Sequence, residues 1–162
     1  MADLDAFTDV LDYPVYVVTA MAGGERAGCL VGFASQCSIE PPRFMVWLSK
    51  ANRTYRVALR ASDLAVHALR ADQKQTAALF GSRTGDDTDK FADIAWRPPV
   101  HGTAPVLEDA YAWFLGRIEA RVDGGDHVGF LLSPTDQSPP GAAGPALLLF
   151  SQVQDLSPGH PA

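Results

Sequence analysis

The alternation over residues 110–122 (AYAWFLGRIEARV) constrains the fold of this chain more than any other stretch. Ala112, Phe114, Ile118, Ala120 and Val122 fall on one side; Arg117, Glu119 and Arg121 fall on the other. Successive side chains of a strand point to opposite faces, so this is a long strand with one buried face and one wetted face. Asp123, Gly124 and Gly125 read as a hairpin turn, and residues 127–132 pair back.

The rest of the chain supplies partners for that hairpin. Residues 13–20 (YPVYVVTA) are rich in β-branched and aromatic residues and read as a strand. The turn at 21–25 holds paired glycines, and a second strand is expected over 26–34. Pro41 and Pro42 break pairing at 38–42, ahead of a third strand at 43–48. Residues 52–61 have helical spacing, with Tyr55, Ala58 and Leu59 on one face. A strand at 64–69 follows, then a helix through Phe80 opened by a capping box of Asp72 and Gln75. Residues 81–88 read as a polar loop, 89–93 as a weak helix, 133–144 as a Pro/Gly/Ser loop and 146–153 as a final strand. This order is not a regular βαβ alternation. It predicts one domain over residues 1–156, an antiparallel β-barrel carrying short helices, with a disordered tail at 157–162.

Composition narrows the function. The chain has 162 residues, 47% hydrophobic and 20% charged, as in ordinary globular domains. A net charge of −6 offers no broad basic face for nucleic acid. No apolar run nears the ~18 residues of a membrane helix, and the acidic start is unlike a signal peptide, so a cytoplasmic location is expected. Cys29 and Cys37 read as packed thiols, and the four histidines form no ligand-spaced cluster, so no metal is expected.

Four constellations could carry chemistry. Ser49, Lys50, Asn52, Arg53 and Thr54 join a strand to a helix start, where free amides, hydroxyls and charge suit a phosphate; they also suit a plain exposed helix cap. Residues 28–38 mix glycine, apolar and polar residues, which lets a backbone approach a flat ligand, or makes a core strand with a bulge at Gly32. His127, after Gly125 and Asp126, can point into a cleft or simply bond the turn. Residues 84–91 form an acidic loop with no metal-loop spacing. There is no G-x-G-x-x-G or Walker loop.

Taken in order, these pieces resemble the flavin reductase-like family. The resemblance runs through Val18-Thr19, Ala27-Gly28, Ser38-Ile39-Glu40-Pro41-Pro42, Leu48-Ser49-Lys50 and Thr54. It continues through Phe80-Gly81, Lys90-Phe91, Pro105-Val106-Leu107 and Gly125-Asp126-His127, covering about residues 13–132. It implies a split β-barrel and a homodimer binding FMN, or FAD, near the subunit interface. It implies that Leu30, Val31, Gly32, Phe33, Ser35, Gln36, Cys37 and Ser38 lie against the ring and ribityl chain. Ser49, Lys50, Arg53 and Thr54 would meet the phosphate. Phe80, Lys90 and Phe91 would complete the cofactor site, and His127 would help at the ring or the incoming nicotinamide.

The implied activity is an NAD(P)H-dependent flavin reductase, passing hydride from NADH or NADPH to flavin and supplying a partner monooxygenase. Many members carry a polar Thr-Ala-Asn-Ser run where this chain has Leu30-Val31-Gly32-Phe33, and Ser where it has Gln36. Phe150-Ser151-Gln152-Val153 stands where a Tyr is frequent. Loss of those hydroxyls would alter redox potential or nicotinamide access. That leaves open a non-reductase FMN-binding protein, an oxidoreductase using another flavin or a deazaflavin, or a flavin-free interaction domain.

Overall fold

The computed structural model describes residues 2–82, 89–141 and 144–156. A short helix α1 (Asp5–Thr8) precedes the strands β1 (Tyr16–Ala22), β2 (Glu25–Val31), β3 (Ala34–Ser38) and β4 (Arg43–Ser49). Helix α2 (Arg53–Ala58), strand β5 (Asp63–Ala68) and helix α3 (Lys74–Gly81) follow. Then come β6 (Trp96–Arg97), β7 (Val106–Leu107), β8 (Ala112–Asp123), β9 (His127–Gln137) and a 3-10 turn at Phe150–Gln152. Seven strands form one antiparallel sheet in the order β2-β1-β5-β8-β9-β4-β3, and β6 and β7 form a separate pair.

That order shows why the sheet curls. Strands β2 and β3 are its two opposite edges, yet only Gly32 and Phe33 separate them in the chain. Residues advance at most ~3.3–3.6 Å each, so the two edges must lie side by side. Residues 26–34, expected as one strand, are thus two strands on opposite edges, and the break falls where Gly32 was read as a bulge. Helix α2 packs on β1, β2 and β4 across this seam. The result is mainly β, a curled half-barrel with a few short helices.

The main core fills the inside of the curl, with Val18, Ala20, Val46, Leu64, Phe130 and Leu132 against Val57 and Ala58 of α2. A second core lies on the outer face of β1, where Val15, Val17 and Leu69 meet Ala77 and Phe80 of α3. Strand β1 is therefore buried on both faces, which explains its unbroken apolar run. His67 of β5 is fully buried; its Nδ1 lies 2.8 Å from the Val17 carbonyl and its Nε2 accepts Leu107 N–H at 3.0 Å. Asp63, at the start of β5, accepts Thr103 N–H, Ala104 N–H and the hydroxyls of Ser62 and Thr103.

Strand β8 is long, as its alternation predicts, and pairs with β9 across the turn at Gly124 and Gly125. Its burial differs from the expectation. One bulge at Thr135 of β9 and another at Glu119 of β8 shift the register. Phe114 and Ile118 pack on the main core, but Ala112, Ala120 and Val122 are exposed in the single chain.

Four local expectations are corrected. Residues 133–137 continue β9, because Pro134 lies at the first bulge, beyond Leu132 where pairing with β4 ends. Residues 146–153 make only isolated bridges, Arg70 to Leu147 and Pro14 to Leu149, before the 3-10 turn. Asp72 and Gln75 make no capping box; Gln73 stands at the helix start, its Oε1 accepting Arg70 N–H and its Nε2 donating to the Asp109 carbonyl. Residues 90–93 form turns, not a helix. The expected tail at 157–162 and most of the acidic loop at 84–88 lie outside the described residues. Among the described residues, no helix is long and apolar enough to cross a membrane, and no cluster of side chains could hold a metal ion.

Candidate functional site

An open cleft of about 960 Å³ sits at the seam where the chain crosses between edges. Leu30, Val31, Gly32 and Phe33 line it, with Ser49 and His127 beside them. Ser49 and His127 are register partners on β4 and β9, which brings a hydroxyl and an imidazole to the same rim. Phe33 is 54% exposed and lies 5.2 Å from the His127 ring, so a large apolar side chain is left open to the cleft. Leu30 packs close against Gly81, which also lines the cleft, and a Cβ added there would come within 2.9 Å of the Leu30 side chain.

His127 contacts the Asp126 carboxylate through Nδ1 at 2.7 Å. That hydrogen bond, with the attraction of the imidazole, holds the Asp126 carboxyl below its ordinary range. The contact orients the ring and fixes which nitrogen remains for a ligand.

The remaining predicted residues divide. Ser35, Gln36 and Cys37 are exposed on the edge strand β3, Ser38 is half-buried there, and none of the four lines the cleft. The crossing at Phe33 carries them past the seam and along the outside of β4. Thr54 is buried beneath Asn52, whose side chain accepts Thr54 N–H at 2.8 Å and caps α2. Lys50 reaches away to Asp123 at 3.0 Å. Arg53 pairs with Glu25 at 2.8 Å and donates to the Arg26 carbonyl.

Phe80 forms part of the cleft, while Lys90 and Phe91 stand behind it. The Lys90 ammonium donates to the carbonyls of Gly28 and Phe80 at 3.0 and 2.9 Å. It thus ties β2 to α3, the two elements that present Leu30 and Phe80. Burial pushes the Lys90 ammonium below its usual range, and it pushes the Cys29 thiol up, away from reactivity. Arg26, Arg53 and Lys90 also line a small indentation that shares Asn52 with the cleft. The buried Nε of Arg26 has no partner among the described residues.

Sequence reasoning named Asn52 at the helix start and Phe150 where a Tyr is frequent, but it did not bring them together with the other walls. Trp47 lines the cleft from β4, and Asn52 does so from the cap of α2. Tyr13 and Phe150, from the two ends of the chain, complete it with Leu11 and Leu156. Tyr13 and Phe150 were visible as aromatics, but no spacing in the sequence joins positions so far apart.

The fold and this cleft define a class. A family model for the flavin reductase like domain matches residues 9–157, and the chain belongs to that family. Among its relatives is the flavin reductase (NADH) of Kitasatospora aureofaciens, 31% identical over 79% of this chain and 68% of that protein. Another is HsaB of Mycobacterium tuberculosis, the reductase subunit of a flavin-dependent monooxygenase, 34% identical over 74% of this chain and 64% of its own length. The match spans 36% of a further relative from Rhizobium meliloti and about two thirds of HsaB, so it covers only part of these curated relatives' length. The flavin reductase of the styrene monooxygenase from Pseudomonas putida S12 superposes with a TM-score of 0.75 at 25% identity, over 92% of both chains.

Proposed function

We propose that this protein is an NADH-dependent flavin reductase that takes FMN into the seam cleft and supplies reduced flavin to a partner monooxygenase. The observation that carries this reading is the crossing at Gly32–Phe33, which opens an apolar, aromatic-walled cleft rimmed by Ser49, Asn52 and His127. Its volume lies at the upper end of the ~300–1,000 Å³ typical of small-molecule sites. The residues fit a flavin: Phe33, Trp47 and Leu30 offer apolar surface for a flat ring. The Arg26 Nε and the cations beside Asn52 offer charge for a phosphate. NADH is preferred over NADPH because the relatives named for a coenzyme are named for NADH.

Bound flavin supplies the acceptor for a hydride leaving NADH, which departs as NAD+. The chain's own task is to hold the ring against Leu30–Phe33, exclude water with Phe33 and Trp47, and orient the ligands with His127 and Ser49. The exposed outer end of β8, where Val122 is 46% accessible, supports assembly as a homodimer through that face.

An anaerobic absorbance titration with FMN and then NADH tests the reading. Bleaching of the flavin band by NADH is the expected result. A flavin that binds but is not reduced by NADH or NADPH would instead establish a binding protein, the outcome suggested by the missing hydroxyls at residues 30–33.

The phosphate end is tested by mutation. Arg53→Ala is expected to weaken FMN binding roughly tenfold, since charge-assisted contacts to phosphate are strong. Lys50→Ala, whose ammonium is engaged with Asp123 at the surface, is expected to change it by less than about threefold. Fluorescence titration reads both, and unchanged affinity in Arg53→Ala would remove that residue from the site.

A further inference from the structure

Three cations line the small indentation beside Asn52, and they are not partnered alike. Arg26 pairs with Asp89 at 4.0 Å, and Arg53 pairs with Glu25 at 2.8 Å. Lys90 is only 5% exposed, and among the described residues no carboxylate pairs with it. Its hydrogen bonds go to the carbonyls of Gly28 and Phe80. The adjacent carboxylate, Asp89, is turned toward Arg26 and accepts Phe91 N–H. Burying a charge without a counter-charge is unfavourable, and two carbonyl dipoles offset only part of the loss. An apolar side chain of similar length would fill the space without that penalty, so packing does not account for a lysine here.

The charge sits directly behind one wall of the cleft. Gly28 lies two residues before Leu30 on β2, and a Cβ there would come within 2.7 Å of the Phe80 ring. Leu30, Phe80 and Gly81 line the cleft, as does Cys29, whose thiol feels the Lys90 charge. A single layer of side chains therefore separates the ammonium from the cleft, and that layer is apolar. In such surroundings a charge is weakly screened and acts across the width of a side chain.

Hydride carries two electrons and one proton. A flavin ring that accepts it from NADH gains one negative charge, and NAD+ leaves with one positive charge more than NADH. Resting on the reductase reading above, we infer that Lys90 is a positioning residue for that new charge: from behind the wall of Leu30, Phe80 and Gly81, its uncompensated ammonium holds reduced flavin more tightly than oxidised flavin.

The test reads the reduction potential of FMN bound to the full chain, by anaerobic titration with a chemical reductant against a reference dye. The Kd of oxidised FMN is measured beside it by fluorescence. Lys90→Gln keeps donors for the two carbonyls but loses the charge. It is expected to reduce the preference for reduced over oxidised FMN roughly tenfold, which for a two-electron couple is a potential lower by about 30 mV. Lys90→Met loses both donors and charge; it is expected to show the same drop together with a weaker Kd. Lys90→Arg retains the charge and is expected to keep the preference within about twofold of the parent. A residue that only stapled β2 to α3 would, when replaced, weaken both forms of the flavin alike and leave the potential unmoved.

Thermal melts show which variants remain folded. The parent's potential in folded Lys90→Gln or Lys90→Met would overturn the inference, and so would a Lys90→Arg that falls as far as Lys90→Gln. Should none of the three fold, the parent decides: it is expected to bind reduced FMN more tightly than oxidised FMN, and the reverse order would overturn the inference. A parent that binds FMN but is not reduced by NADH or NADPH would overturn the reductase reading alone, since the potential is read with a chemical reductant. A parent that binds no FMN would overturn both.

Discussion

Asp63→Ala is expected to lower the unfolding free energy by about 2–3 kcal/mol, because the buried Ala104 N–H is left without an acceptor at ~1–3 kcal/mol and the partly buried Thr103 N–H loses its partner. The carboxylate gathers Thr103 N–H, Ala104 N–H and two hydroxyls into one knot at the start of β5. Ala104 beneath it is fully buried against Ala65 and Leu115, so water cannot readily replace the lost acceptor. In a domain of this size that loss corresponds to a melting point lower by roughly 4–12 °C. Asp63→Asn retains one acceptor oxygen and is expected to cost about half as much. Urea unfolding checks both, and an Asp63→Ala midpoint within experimental error of the parent would show that the 102–104 loop contributes nothing to the fold.

The second large effect depends on pH. Burial lowers the His67 pKa from 6.5 to about 4, with the hydrogen bond to Val17 opposing the shift. The unfolded chain therefore binds a proton that the folded chain refuses between those values. Stability from this group is fully present above pH 6.5 and is lost as the pH falls toward 4. At ~1.36 kcal/mol per unit the full loss is about 3 kcal/mol. Imidazolium at this position would also repel the Leu107 N–H that Nε2 accepts.

His67→Gln is expected to remove one proton's worth of slope from the stability–pH curve over that interval. It is also expected to cost about 2–3 kcal/mol at neutral pH through its poorer fit to Val17 and Leu107. Urea midpoints measured across the interval check both statements, and an unchanged slope in the variant would assign the acid sensitivity elsewhere.

Much of this molecule was legible in its sequence because local rules governed it. The β8–β9 hairpin follows from alternation and two glycines, and β4 and α2 follow from an apolar run and helical spacing. The candidate cleft was legible where it is local: Leu30–Phe33, Ser49 and His127 line it together. It was not legible where long-range topology decides. Nothing in residues 26–38 says that the chain changes edges at Gly32, so Ser35, Gln36 and Cys37 were expected with residues 30–33 and stand instead on the edge strand beside β4, outside the cleft. Lys50 and Arg53 were read as lying at the phosphate; each also pairs with a carboxylate distant in sequence, Asp123 and Glu25, which no local pattern announces. The bulges at Glu119 and Thr135 likewise turned a regular alternation into a strand whose outer end is exposed.

The joined chain ends give the cleft a mechanical character of its own. A wall made by pairing residues near 13 with residues near 150 can fray while the curled sheet stays intact, because it rests on a handful of hydrogen bonds outside the main ladder. Local opening of this kind costs far less than global unfolding. The amides of Val15, Phe150 and Ser151 should then exchange with solvent sooner than those of β5 or β9, and a ligand seated in the cleft should slow them selectively. Substitutions in these terminal segments would then change how readily the cleft opens without touching residues 30–33.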